Sequence, residues 1–94
     1  MENTNLKIRA ASQIALLGAV TKNLRAINII QREKKILINF FYEKINEQEE
    51  EIPEIFATEM FAYFEDYDIN ARSIILPLSE NIPEEGLRIF CRKE

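Results

Sequence analysis

The 94-residue chain contains no histidine and no tryptophan, one cysteine, two glycines and three prolines. Without histidine it lacks the commonest general base, the usual partner of a nucleophilic Ser or Cys, and the commonest nitrogen ligand for zinc or iron. Cys91 alone cannot form an intramolecular disulfide, and a reducing compartment is compatible with that count. Gly18 and Gly86 are too far apart for a phosphate-cradling loop. Lys, Arg, Glu or Asn interrupts every apolar run well short of the ~20 residues that a bilayer span needs. Met1 to Arg9 lacks the basic stretch, apolar core and small-residue cleavage site of a secretory signal. The expectation is a soluble cytoplasmic protein with no membrane association.

What is present is the composition of a folded domain: 47% hydrophobic and 30% charged residues, outside the range of disordered segments. A chain of this length builds one core, so residues 1–94 are expected to form a single domain. Charge is divided unevenly along it. Met1 to Lys35 carries Lys7, Arg9, Lys22, Arg25, Arg32, Lys34 and Lys35 against Glu2 and Glu33, a balance of +5. Ile36 to Asp68 carries ten acids against Lys44, a balance of −9, and the remainder is neutral. Such an acidic field repels nucleic acid and anionic membranes and speeds encounter with a basic protein. The plainer account, a solvated face that keeps the protein soluble, fits the same run.

Periodicity gives the elements. Ala10, Ile14, Leu17 and Thr21 recur at helical spacing within Leu6 to Thr21, with Ala11, Ala15 and Gly18 beside them, predicting a helix able to approach a sheet closely. Leu24 to Arg32 and Lys35 to Glu43 read as a β-hairpin across a polar connection. In the second strand Ile36, Ile38, Phe40 and Tyr42 share one face and Leu37, Asn39 and Phe41 the other, so the sheet should be covered on part of both sides. Asn46 and Glu49 fit a capping box that would start helix two there, while Pro53 allows a rigid start near Ile52 with Glu47 to Glu51 as a looser lead-in, so the start stays open between the two. Ile52, Ile55, Phe56, Met60, Tyr63, Phe64 and Tyr67 are its expected buried stripe, with Glu59 set inside the apolar arc. Asp68 to Leu76 and Leu87 to Arg92 read as strands joined by an exposed loop. The expected fold is α+β in αββαββ order, a four-stranded antiparallel sheet with two helices packed against it.

Catalytic chemistry finds no support. Ser12, Ser73 and Ser79 lack a nucleophile elbow, and the carboxylates of Glu49 to Glu54 lack the glycine turn and Asp/Asn alternation of a calcium loop. No cofactor or metal is expected, and the protein is not expected to be an enzyme. Cys91 reads as a small buried hydrophobe. Arg25, Arg32, Lys34 and Lys35 near Phe40, Phe41 and Tyr42 form a combination that can bind single strands, but the acidic net charge opposes it. Tyr42, Tyr63 and Tyr67 are expected in the core with solvated hydroxyls.

Ala15 to Ala26 matches an ALLGxVTxNLRA pattern. With Ala57-Thr58-Glu59, Ala62-Tyr63-Phe64, Ile82-Pro83 and the ending Arg92-Lys93-Glu94, the chain resembles short bacterial immunity proteins of toxin systems, including contact-dependent growth inhibition. That resemblance implies an inhibitor of a toxin domain, often a nuclease and hence basic. An acidic helix suits such a partner, which makes Glu49, Glu50, Glu51, Glu54, Glu65, Asp66 and Asp68 candidate contacts, followed by Glu84 and Glu85. The alternative is an adaptor domain that self-associates or binds a protein through its two-sided sheet.

Overall fold

The computed structural model describes residues 2–94. The centre of the sheet is the expected hairpin: β1 (Leu24–Arg32) and β2 (Lys35–Tyr42) pair antiparallel, with Ala26 opposite Phe41 and Arg32 opposite Lys35. Its tight turn places Glu33 at φ 56, a left-handed conformation that costs a non-glycine residue about 1 kcal/mol. The Gln31 side-chain amide donates to the Glu33 carbonyl at 2.9 Å and helps to hold the turn. Ile36, Ile38, Phe40 and Tyr42 all lie buried on one face of β2, as a period of two requires.

From β2 the chain climbs into α2 (Ile52–Phe61), where Pro53 occupies the first turn. Its missing N–H has no partner to lose there, and its fixed φ suits the helix. The chain then returns as β3 (Asp68–Ile75), which pairs with β2 in parallel from Lys35–Asp68 to Tyr42–Ile75 without a register shift. The sheet is therefore mixed, with strand order β3-β2-β1-β4, and the expectation of antiparallel pairing throughout is corrected. A strand–helix–strand crossover brings the chain back to the end of the sheet from which β2 started, so the next strand must run parallel. The element order is corrected as well, because α1 (Glu2–Ala15) is followed by a separate 3-10 turn at Leu16–Gly18 in place of one helix over Leu6 to Thr21. β4 (Leu87–Cys91) pairs antiparallel with β1 at the other edge.

Both helices contribute to one core with the buried face of β1 and β2; α1 is rotated from the expected orientation, whereas the expected stripe of α2 and the turn after it is buried or half-buried except at Ile55 and Tyr63. In α1 the buried side is Ile8, Ala11, Ser12 and Ala15, continued by Ala19, while Ile14 and Leu17 are 54% and 88% exposed. Small side chains line the side of α1 that turns into the core, where the Ser12 hydroxyl meets the Met60 sulfur of α2 at 3.8 Å, and close packing there outweighs burying the larger residues on the opposite side. In α2 the buried side is Pro53, Phe56 and Met60, extended by Phe64, with Ile52 and Ala57 half-buried. Phe56 meets Phe40 edge to face at 5.3 Å between ring centroids. Ile55 and Tyr63 are exposed, and Glu59 lies with them in solvent. Glu59, expected within the apolar arc, is therefore solvent-facing, because the side of α2 that carries it with Ile55 faces out.

The helix-free face is crossed by residues 76–86, which connect β3 at one edge to β4 at the other. Leu76 and Ile82 pack on Ala26 and Phe41. Arg25, only 2% exposed, donates from Nη1 to the carbonyls of Leu76, Pro77 and Glu80 at 2.9–3.0 Å. Its Nε and Nη2 bind both carboxylate oxygens of Glu94 at 2.7 and 2.8 Å. Asn28 and Arg88 each donate to the Pro83 carbonyl. Gly86, at φ 81, lets the strap join β4, because a Cβ there would lie 2.6 Å from the Ile29 carbonyl oxygen.

Candidate partner-binding site

The acids nominated from the sequence separate into distinct settings. Glu49 is only 2% exposed. Its carboxylate accepts from the Thr21 hydroxyl, from Asn23 Nδ2 at 2.9 Å and from the Asn46 amide at 3.1 Å. The Glu49 amide donates back to Asn46 Oδ1 at 2.9 Å, so the reciprocal pair of a capping box forms, but on the turn that precedes α2 and not at its N-terminus, where Glu51 makes no side-chain cap. Burial pushes the Glu49 pKa up, but the hydrogen bonds from Thr21, Asn23 and the backbone more than offset it and hold the group below its ordinary value. Glu49 ties the approach to α2 onto the loop before β1, and it is withdrawn from the surface.

Glu50, Glu51 and Glu54 are exposed at the start of α2. None of the three is in an ion pair among the described residues. Glu51 and Glu54 share a shallow depression with Ile55, Thr58 and Glu59. Glu65 and Asp66 lie exposed in the turn after the helix, roughly 15 Å along the helix axis from Ile52 at 1.5 Å per residue. Asp68 and Glu85 border a depression on the helix-free face that also holds Arg32, Lys35 and Arg72, and Glu84 is exposed beside it. The structure therefore gathers Glu50, Glu51 and Glu54 and leaves the other candidates apart.

The groups proposed for alternative chemistry are also displaced. Arg25, Phe40 and Tyr42 are buried, which dismantles the basic and aromatic combination suited to single-stranded nucleic acid. Cys91 is exposed, not buried. It lies on an edge strand, where no further strand covers it. The Tyr42 hydroxyl is buried without a partner instead of being solvated. Burial first, and the nearby Glu49 charge second, push its pKa upward. On the helix-free face Arg72 Nε donates to Asn39 Oδ1 at 2.6 Å and Arg88 Nε to Asn28 Oδ1. Paired positions align Arg72, Asn39, Asn28 and Arg88 in one row across all four strands. That row and the strap occupy much of the face on which an adaptor would self-associate.

Sequence reasoning missed a groove of about 610 Å³ between α2 and β3. Pro53, Ala57 and Phe61 line one side, Ile69, Ala71 and Ser73 the other, and Glu50 and Glu54 stand at one end. The helix between two strands was the available signal, because a parallel crossover makes β3 an edge strand beside α2.

A family model described as MafI2 immunity protein matches residues 5–94. The chain belongs to the MafI2 immunity protein family. The match agrees with the resemblance to immunity proteins and gives the MafI2 chain a toxin as its partner class. No curated protein matches the chain. Among the described residues of this MafI2 protein, no helix is long and apolar enough to cross a membrane.

Proposed function

We propose that the chain neutralises a basic toxin domain in the cytoplasm by binding it, without catalysis, against the acidic start of α2. The observation that carries this reading is the cluster of Glu50, Glu51 and Glu54, exposed and without ion pairs among the described residues, on a member of an immunity family. Nucleases and other phosphate-binding toxins are basic, and a carboxylate cluster meets such a surface with complementary potential. A toxin delivered by contact between cells fits the same role. Glu49 has no part in this contact, since its oxygens are engaged within the fold.

The test is association of the purified protein with the toxin domain encoded beside it, followed by stopped flow at several salt concentrations. The complex should form at low salt, and reversing charge at Glu50, Glu51 and Glu54 together should slow association about tenfold or more while dissociation changes less. Absence of binding at low salt rejects the function. An unchanged association rate rejects this face.

A further inference from the structure

We propose that the free edge of β3 is the docking strand: an extended segment of the toxin, whose α2-facing side chains are apolar at one end and basic at the other, adds to it along the groove beside α2. The inference rests on the neutralisation reading and names the subsite through which it operates. β3 lies at the edge of the sheet and follows β2 over its whole length without a bulge. It contains no proline, and of its two charged residues Asp68 stands at the first position while Arg72 is held by Asn39 on the helix-free face, so neither of the common devices of proline or bulge blunts this edge against strand addition. The opposite edge, β4, is five residues long, and its pairing contains a register shift.

Backbone parity defines what the edge offers. The Asp68 amide donates to the Lys34 carbonyl at 2.8 Å and the Leu76 amide to the Tyr42 carbonyl at 2.7 Å. In a regular parallel ladder, alternate residues turn both backbone groups to the same neighbour. Residues 68, 70, 72, 74 and 76 therefore point to β2, and Ile69, Ala71, Ser73 and Ile75 present their N–H and C=O groups outward. These four side chains lie on the helical face of the sheet, so an incoming strand would set alternate side chains against α2.

The groove restricts the occupant. α2 runs antiparallel to β3 in this crossover, which puts Phe61 towards Ile69 and puts Glu50 and Glu54 towards Ser73. Apolar side chains fit the first end and basic ones the second. A second copy of this chain fits less well, because the helix-facing residues of its own β3 are Ile69, Ala71, Ser73 and Ile75, none of them basic to answer the two acids.

Hydrogen exchange on the wild-type protein, free and bound to the adjacently encoded toxin domain, tests the edge directly. The amides of Ala71 and Ser73 should exchange at least tenfold more slowly in the complex. Ser73→Pro removes an outward N–H that the fold does not use, and with an unchanged circular dichroism spectrum it should weaken binding at least tenfold. Binding with no added protection, or with Ser73→Pro within twofold of wild type, overturns strand addition and leaves neutralisation standing. No binding at low salt overturns both. A wild-type dimer in sedimentation that Ser73→Pro dissociates overturns the toxin as occupant in favour of a second copy.

Discussion

Replacing Glu49 by alanine should destabilise the fold severely, although the residue belongs to the run of acids that composition marks as surface. The carboxylate satisfies the Thr21 hydroxyl, the Asn23 amide and the Asn46 backbone N–H. Hydrogen bonds to a charged group contribute roughly 1.5–3 kcal/mol each before the cost of burying that charge is subtracted. The surface depression formed by Thr21, Asn23, Asn46 and Glu49 can admit water to the three stranded donors. That rehydration and the recovered desolvation cost reduce the net loss to about 2–4 kcal/mol. A domain of this size has on the order of 5–14 kcal/mol to lose. The melting temperature should therefore fall by roughly 8–32 °C, at about 4–8 °C per kcal/mol.

Urea unfolding at pH 7, followed by circular dichroism, measures this directly, with Glu50→Ala and Glu51→Ala as controls expected to stay within about 0.5 kcal/mol. Glu49→Gln should lie between, since one oxygen becomes a donor facing donors. The folded Glu49 pKa is depressed below the ordinary 4.5, so its stabilisation is present above that value and lost as pH falls through the folded one. The glutamine variant should flatten the acid limb of the stability profile. A loss below about 1 kcal/mol for Glu49→Ala, at unchanged denaturant slope, refutes the claim that this carboxylate organises the junction.

Three further outcomes concern a buried hydroxyl, a positive-φ glycine and a partly exposed ion pair. Tyr42→Phe removes a hydroxyl that is buried without a partner and should raise stability by up to about 1–3 kcal/mol in thermal unfolding; a loss of that size would show that the hydroxyl is satisfied. Gly86→Ala forces a Cβ to 2.6 Å from the Ile29 carbonyl oxygen at φ 81 and should cost more than about 1 kcal/mol in urea unfolding, whereas a neutral result would mean that the strap shifts freely. The Arg25 hydrogen bond first, and then Arg92, hold the Glu94 pKa down to about 2 against the opposing effect of burial. The clasp is therefore intact above the ordinary 4.5 and should open as pH falls from there to about 2, a transition that amide protection near Arg92 reports and that Glu94→Gln abolishes.

The parts of the fold that the sequence made legible are those where one local pattern has one solution. Alternation over Lys35 to Tyr42 defined a strand, and Asn46 with Glu49 made the reciprocal hydrogen bonds of a capping box, although on the turn before α2; two competing start signals, the box and Pro53, left the helix start open, and the helix begins at Ile52. Helix orientation was harder because α1 is apolar on two sides. Ile8, Ala11 and Ala15 compete with Leu6, Ala10 and Ile14, and hydropathy favours the larger set while close packing selected the smaller one. The direction of β3 is absent from its own residues, because the same alternation suits a parallel or an antiparallel neighbour. Charge counting also treated Arg25 and Glu49 as available groups, yet Arg25 is consumed by Glu94 and three carbonyls, and Glu49 by three donors.

The β2–α2–β3 crossover explains why a free strand edge and free acids lie together. It lays α2 beside β3, the last strand on that side, and the fixed start at Pro53 sets Glu50 and Glu54 along the seam. The chain leaving β3 must reach β4 at the far edge, and with both helices on one face its route lies across the other. Arg25, Asn28 and Arg88 fasten it there. The strap therefore covers the centre of the sheet and cannot also cover the β3 edge. A partner that pairs with this edge would meet the acids of α2 in the same step, so charge reversal and loss of the Ser73 amide should be coupled in a double-mutant cycle, not additive. Additive effects would place the acids and the edge in separate contacts.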